Sequence, residues 1–105
     1  MAEKNDPQDD GQLLTRKRSK TRKPRLYKVF LHNDDYTPME FVVAVLRQVF
    51  HLGDGEATRV MLLVHNAGVG LAGTFSYEIA ETKVQQVLNS AQRHEFPLQC
   101  SMEPE

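Results

Sequence analysis

The sequence predicts an α/β sandwich: three helices covering a small three-stranded antiparallel sheet, in the order β-α-α-β-α-β, behind a disordered N-terminal arm. Three observations predict it. Apart from Met1, residues 1–24 carry only Leu13 and Leu14 as large apolar side chains, too few to offset the entropy of ordering the segment. Segments with period-two alternation stand near both ends of the remainder. Between them run helix-period apolar stripes punctuated by glycine and proline. The expected division is a flexible basic extension over 1–24 and one folded domain over 25–105, close to the lower size limit for an unaided core.

The elements follow in order. Over Arg25–Asn33, Tyr27, Val29 and Leu31 alternate with Lys28, Phe30 and His32, the pattern of a strand with one wetter face. Asn33-Asp34-Asp35 places three turn-forming residues together. Thr37-Pro38-Met39-Glu40 then reads as a helix start, with Thr37 as N-cap, Pro38 at the first helical position and Glu40 closing a capping box. Phe41, Val42, Val45, Leu46, Val49 and Phe50 supply its apolar stripe. Gly53-Asp54-Gly55 interrupts the chain, and Asp54 is expected to cap a second helix over roughly Glu56–Asn66, with Val60, Met61, Val64 and His65 along one face. Gly68 and Gly70 end it and open a short strand, Leu71–Phe75. Ser76 is expected to cap a third helix, Tyr77–His94, with Ile79, Val84, Val87, Leu88 and Ala91 inward and Pro97 as the stop. Leu98, Cys100 and Met102 alternate with polar neighbours and predict a last strand ending near Met102.

Composition excludes several classes of function. The chain has 105 residues, 40% hydrophobic and 26% charged. Its longest apolar run, Phe41–Leu46, is far too short to cross a membrane. One cysteine excludes an internal disulfide and a cysteine-based zinc site. The start, MAEKNDPQDD, does not read as a secretory signal, so a cytoplasmic protein is expected. The net charge of −1 conceals a split. Residues 1–28 hold nine Lys+Arg against four Asp+Glu, net +5, and residues 29–105 hold four against ten, net −6. Seven of the basic residues fall within Arg16–Arg25.

Three groups of residues carry possible chemistry. Asn33, Asp34 and Asp35 either tie a tight loop or present oxygen acceptors to a cation, an ammonium group or a metal. His65 either satisfies carbonyls at its helix end or acts as metal ligand, acid/base or amine acceptor, a neutral imidazole offering one donor and one acceptor. His32, His51 and His94 show no metal-binding spacing with it. Met39 with Val42, and Met61 with Val64, share helix faces and either pack the core or line an apolar pocket suited to aromatic or leucine-like guests. No nucleophile has a supporting base, and Cys100 reads as a small core residue. There is no phosphate loop and no dinucleotide fingerprint. An enzyme is not expected, and no cofactor or metal is implied.

Asn33-Asp34-Asp35-Tyr36-Thr37-Pro38-Met39-Glu40-Phe41-Val42, with Met61-Leu62-Leu63-Val64-His65, Ala80-Glu81-Thr82-Lys83-Val84 and Pro97-Leu98-Gln99-Cys100, closely resembles the bacterial ClpS family over about residues 25–102. These are adaptors of the N-degron pathway, which bind proteins by a bulky hydrophobic N-terminal residue (Leu, Phe, Tyr or Trp) and deliver them to the AAA+ unfoldase ClpA of the ClpAP protease. The resemblance implies that Asn33, Asp34 and His65 hold the substrate's α-amino group. It implies that Asp35 and Thr37 form the rim, and that Met39 gates a pocket walled by Val42, Met61, Val64 and Leu98, excluding Ile and Val. Glu78 and Lys83 resemble the surface that docks on the N-terminal domain of ClpA. The arm, more basic than the family pattern, resembles the extension used in delivery. The expected partners are therefore N-degron peptides and ClpA, for a monomer acting without nucleic acid or membrane.

Two other classes compete. The Arg16–Arg25 run suits phosphates, but the body is acidic and no exposed aromatic platform follows the run. A small hydrolase built on Asp34, Asp35 and His65 lacks a nucleophile.

Overall fold

The computed structural model describes residues 24–105. The expectation for the arm, apart from Pro24, lies outside the described residues. The body follows the predicted order: β1 (Leu26–His32), α1 (Met39–Gln48), α2 (Asp54–Ala67), β2 (Val69–Ser76), α3 (Tyr77–Arg93) and β3 (Gln99–Pro104).

The sheet is antiparallel in the order β2-β1-β3. β1 is central because its alternation serves two neighbours: Tyr27 pairs with Phe75 on one side and Pro104 on the other. The β1–β3 register runs without a break from Tyr27–Pro104 to His32–Gln99. The β1–β2 register slips between Val29–Gly73 and Phe30–Leu71. That leaves Ala72 as the extra residue of a bulge, buried in the core. Val29 and Leu31, on one face of β1, are completely buried. Over them pack Val42, Val45, Leu46 and Phe50 of the α1 segment, Val60 and Val64 of α2, Ala80, Val87 and Ala91 of α3, and Leu98 and Cys100. α3 touches all three strands, and α2 bridges α1 and β2.

Several local expectations are corrected. Thr37 does not cap α1. The cap position is Pro38, without a side-chain cap bond, and the Thr37 hydroxyl donates instead to Asp34 Oδ2 at 2.7 Å. With Pro38 at the cap position there is no side-chain oxygen to accept the first-turn N–H groups, so the capping box does not form. Asp54 lies inside the first turn of α2, where it pairs with Arg47 at 2.8 Å. Ser76 occupies the α3 cap position, also without a side-chain bond. Ile79 is half exposed, and Ala80 takes the inward place. β2 begins two residues earlier than predicted because Gly68 alone, at φ 89°, reverses the chain. β3 runs on to Pro104. α3 stops before Pro97 is reached. Phe96 N–H donates to Ala91 O at 2.9 Å and Glu95 N–H to Gln92 O at 3.0 Å, with Glu95 left-handed at φ 62°. That is a Schellman ending with a glutamate where glycine is usual.

Candidate functional site

The loop between β1 and α1 is held by its own aspartate. Asp34 Oδ1 accepts the backbone N–H groups of Tyr36 at 2.8 Å and Thr37 at 2.7 Å, while Oδ2 takes the Thr37 hydroxyl. Partial burial pushes the Asp34 carboxyl up. The Thr37 hydroxyl and the two backbone N–H groups outweigh this and hold it below the ordinary aspartate value of 3.8. The loop therefore carries a fixed negative charge at neutral pH. Asp34 does tie a turn, and in doing so it engages most of its acceptor capacity. Asp35, next to it, is exposed and has no hydrogen-bond or ion-pair partner among the described residues.

The far wall is the end of α2. Gly68 closes that helix with its N–H on Val64 O at 3.0 Å, and its own carbonyl accepts Asn33 N–H at 2.9 Å. One backbone bond thus ties the start of the Asn33–Thr37 loop to the turn just beyond His65. Gly70, buried two residues on, lets α2 lie directly on β2, where Val60 and Val64 cover it.

Between loop and helices lies a cavity of about 210 Å³ lined by Asn33, Asp34, Asp35, Thr37, Met39, Val42, Met61, Val64 and His65. Its rim is polar: Asn33, Asp35 and His65 are exposed. Its floor is apolar, with Val42 and Val64 buried and Met61 half-buried. Met39, in the first turn of α1, is 44% exposed at the mouth. Nine of the ten substrate-site residues expected from the sequence converge here from one loop and two helices. Leu98 does not. It is buried beside a separate depression formed with Leu88, Ala91 and Phe96. Gly68 and Gly70 are the positions that sequence reading did not connect with the site. Their signal was the glycine pair directly after the histidine-bearing helix.

The two residues expected to dock a partner lie elsewhere, on α3. Glu78 is exposed in its first turn. Lys83 is half-buried, and its Nζ donates to Val49 O at 2.7 Å, 5.5 Å from the centre of the Phe75 ring. It therefore closes the C-terminus of α1.

Catalytic and metal chemistry find little here. Burial pushes the Cys100 thiol up to about 12, so it holds no thiolate at neutral pH. Among the described residues no three His, Cys, Asp or Glu side chains group as a metal site. No helix among them is long and apolar enough to cross a membrane.

Comparison with known proteins places the chain. The family described as "ATP-dependent Clp protease adaptor protein ClpS" matches residues 22–101. An ATP-dependent Clp protease adapter protein ClpS of Desulfatibacillum aliphaticivorans is 58% identical over 101 residues, covering 95% of this chain and 97% of that one. The protein of the same name from Hyphomonas neptunium is 60% identical over 100 residues, covering 92% and 85%. Among solved structures, Agrobacterium tumefaciens ClpS2 bound to L-phenylalaninamide superposes with a TM-score of 0.76 at 42% identity, covering 79% of this chain and all of that one. A fold, a motif-bearing loop and relatives that span nearly the whole sequence agree: the chain belongs to the ClpS family of ATP-dependent Clp protease adaptor proteins.

Proposed function

We propose that the protein binds peptides and proteins by a free, bulky hydrophobic N-terminal residue and delivers them to a ClpA-type AAA+ unfoldase. The observation that carries the reading is the cavity itself, about 210 Å³, which sets an apolar floor beneath a rim of acceptors. The likeness to a ClpS protein bound to L-phenylalaninamide supports it, because that ligand combines a free α-amine with an aromatic side chain.

The chemistry divides between rim and floor. An α-ammonium offers three donors and a positive charge. Asn33 Oδ1 and one nitrogen of a neutral His65 ring accept two of them. The fixed charge of Asp34 and the exposed carboxylate of Asp35 supply the counter-charge. Hydrogen bonds to a charged group contribute roughly 1.5–3 kcal/mol each. A peptide group inside a chain carries no ammonium, so it leaves these acceptors without partners and is rejected. Val42, Met61 and Val64 take the side chain, whose burial adds about 1.5–3 kcal/mol. Met39, standing at the mouth, narrows the cavity where a guest's Cβ passes and excludes Ile and Val. Asp35 and Thr37 shape the rim.

Delivery is assigned to other parts of the chain. Glu78, with Lys83 nearby on α3, forms the surface offered to the unfoldase N-terminal domain, and the basic arm takes part in transfer. The cavity lining comes from one chain, which supports reading the protein as a monomer; the cytoplasm is the compartment proposed for it.

The test is a titration of labelled peptides that differ only in the first residue, each with an N-acetylated control. Leu-, Phe-, Tyr- and Trp-first peptides are expected to bind, and acetylation to abolish binding. Ile- and Val-first peptides are expected to bind only Met39→Ala. Equal binding of the acetylated peptides refutes the reading.

A further inference from the structure

We propose that Gly70, which lies outside the lining of the cavity, sets how large a first side chain the site accepts, because it lets Val64 seat fully against β2. The inference rests on the reading that the cavity receives a peptide's first side chain.

The geometry is specific. A Cβ added at Gly70 would lie 2.7 Å from Val64 Cγ2, 3.2 Å from Val60 O and 3.4 Å from Val60 Cγ1. The first two distances are shorter than ordinary contact, the Val64 one by a wide margin, so the helix and the strand touch with no room for a methyl group. Something must yield. Val60 O belongs to the backbone of α2 and Val60 is fully packed, so the helix axis resists. Val64 is stiff at χ1, as β-branched residues in helices are, so it cannot turn aside freely. Its other surroundings are close-packed core, and Val64 is 2% exposed. The open volume it borders is the cavity. A methyl group at position 70 therefore drives the Val64 wall into the cavity, and the cavity loses depth without losing its acceptors.

This separates size selection from amine recognition. Asn33, Asp35 and His65 sit at the rim, whereas Gly70 acts on the floor through Val64. A single carbon too many in an apolar pocket discriminates by roughly 10- to 200-fold. Trp, the largest guest, meets the displaced wall first, Phe next and Leu least.

The experiment uses the full chain and three peptides, Leu-, Phe- and Trp-first, free and N-acetylated. For Gly70→Ala, Leu-first affinity is expected to stay within about threefold of the unaltered protein, while Trp-first affinity falls at least about tenfold. A parallel loss for all three peptides, or unchanged Trp-first binding, overturns the proposal. The second variant, Gly70→Ala with Val64→Ala, removes the displaced methyls and is expected to bring the Trp-to-Leu ratio back to its original value. A ratio that stays skewed overturns the route through Val64, including the case where Gly70→Ala alone folds poorly. Should the unaltered protein bind acetylated peptides as well as free ones, the amine reading fails, while the ranking by size across the variants still decides the role of Gly70.

Discussion

Asp34 has both carboxylate oxygens engaged inside its own loop, which changes the part it plays. A residue expected to grip the ligand is also the residue that shapes the grip. Two substitutions separate these roles. Asp34→Asn keeps an Oδ1 acceptor for the Tyr36 and Thr37 N–H groups but removes the charge. Asp34→Ala removes both and leaves two backbone donors without their partner. Loss of such a cap-like interaction costs about 1 kcal/mol, so Asp34→Ala is expected to melt earlier and bind more weakly, and Asp34→Asn chiefly to bind more weakly. The pH dependence has a definite sign. The folded-state carboxyl titrates below its ordinary value, so the unfolded chain binds the proton more readily. The carboxylate's stabilisation is present above 3.8 and is lost as pH falls through the lower folded value. In thermal melts from pH 6 downward, the advantage of the unaltered protein over Asp34→Asn should hold to about pH 4 and then shrink. An advantage that grows on acidification would contradict the assigned protonation.

At the scale of elements, stripes were legible and endings were not. Val29 and Leu31, Val45 and Leu46, Val60 and Val64 all lie where periodicity put them, because burial of a face repeats along an element. Ends depend on single competing bonds. Thr37 failed as a cap because the helix starts one residue later, with Pro38 at the cap position, while the Thr37 hydroxyl donates into the loop to Asp34. α3 ended at Arg93, within a residue of the expected His94, but through left-handed Glu95 rather than through Pro97. Ile79 missed the core by one position because the inward line of α3 passes through Ala80. The contiguous part of the site, Asn33 to Val42, was readable as a string. Its union with Met61, Val64 and His65 needed the Gly68 turn, whose carbonyl binds Asn33. The left-handed glutamate gives a prediction. Glu95→Gly removes a conformational cost of about 1–2 kcal/mol and a negative charge at a helix C-terminus. Part of that gain is offset by the greater entropy glycine adds to the unfolded chain. A net gain of roughly 0.5–1 kcal/mol would raise the melting temperature by a few degrees in a domain of this size. A lower melting temperature by circular dichroism would show that Glu95 makes compensating contacts.

For the whole molecule, the charge split runs parallel to the proposed division between binding and delivery. Among the described residues, the cavity draws on none before Asn33, and the core on none before Tyr27. The anionic rim and the net −6 of residues 29–105 favour an approaching ammonium without help from the arm. The surface proposed for docking, around Glu78 on α3, is also separate from the cavity lining, although Lys83 fastens α3 to the end of α1, the helix that carries Met39 and Val42. Recognition and delivery are therefore expected to part when residues 1–23 are removed. The shortened chain, starting at Pro24, should melt cooperatively and bind Leu- or Phe-first peptides within about twofold of the full chain, since every lining side chain and its supports remain. Its support of degradation of an N-degron protein by the unfoldase and protease should drop if the basic segment has the proposed part in transfer. Restoring the six basic residues of Arg16–Lys23 on a scrambled background distinguishes charge from sequence: recovery of degradation assigns the role to charge, and its absence assigns it to the specific order of the arm. Peptide affinity that falls along with degradation would instead place the arm at the cavity mouth, and would break the separation between the two halves of the chain.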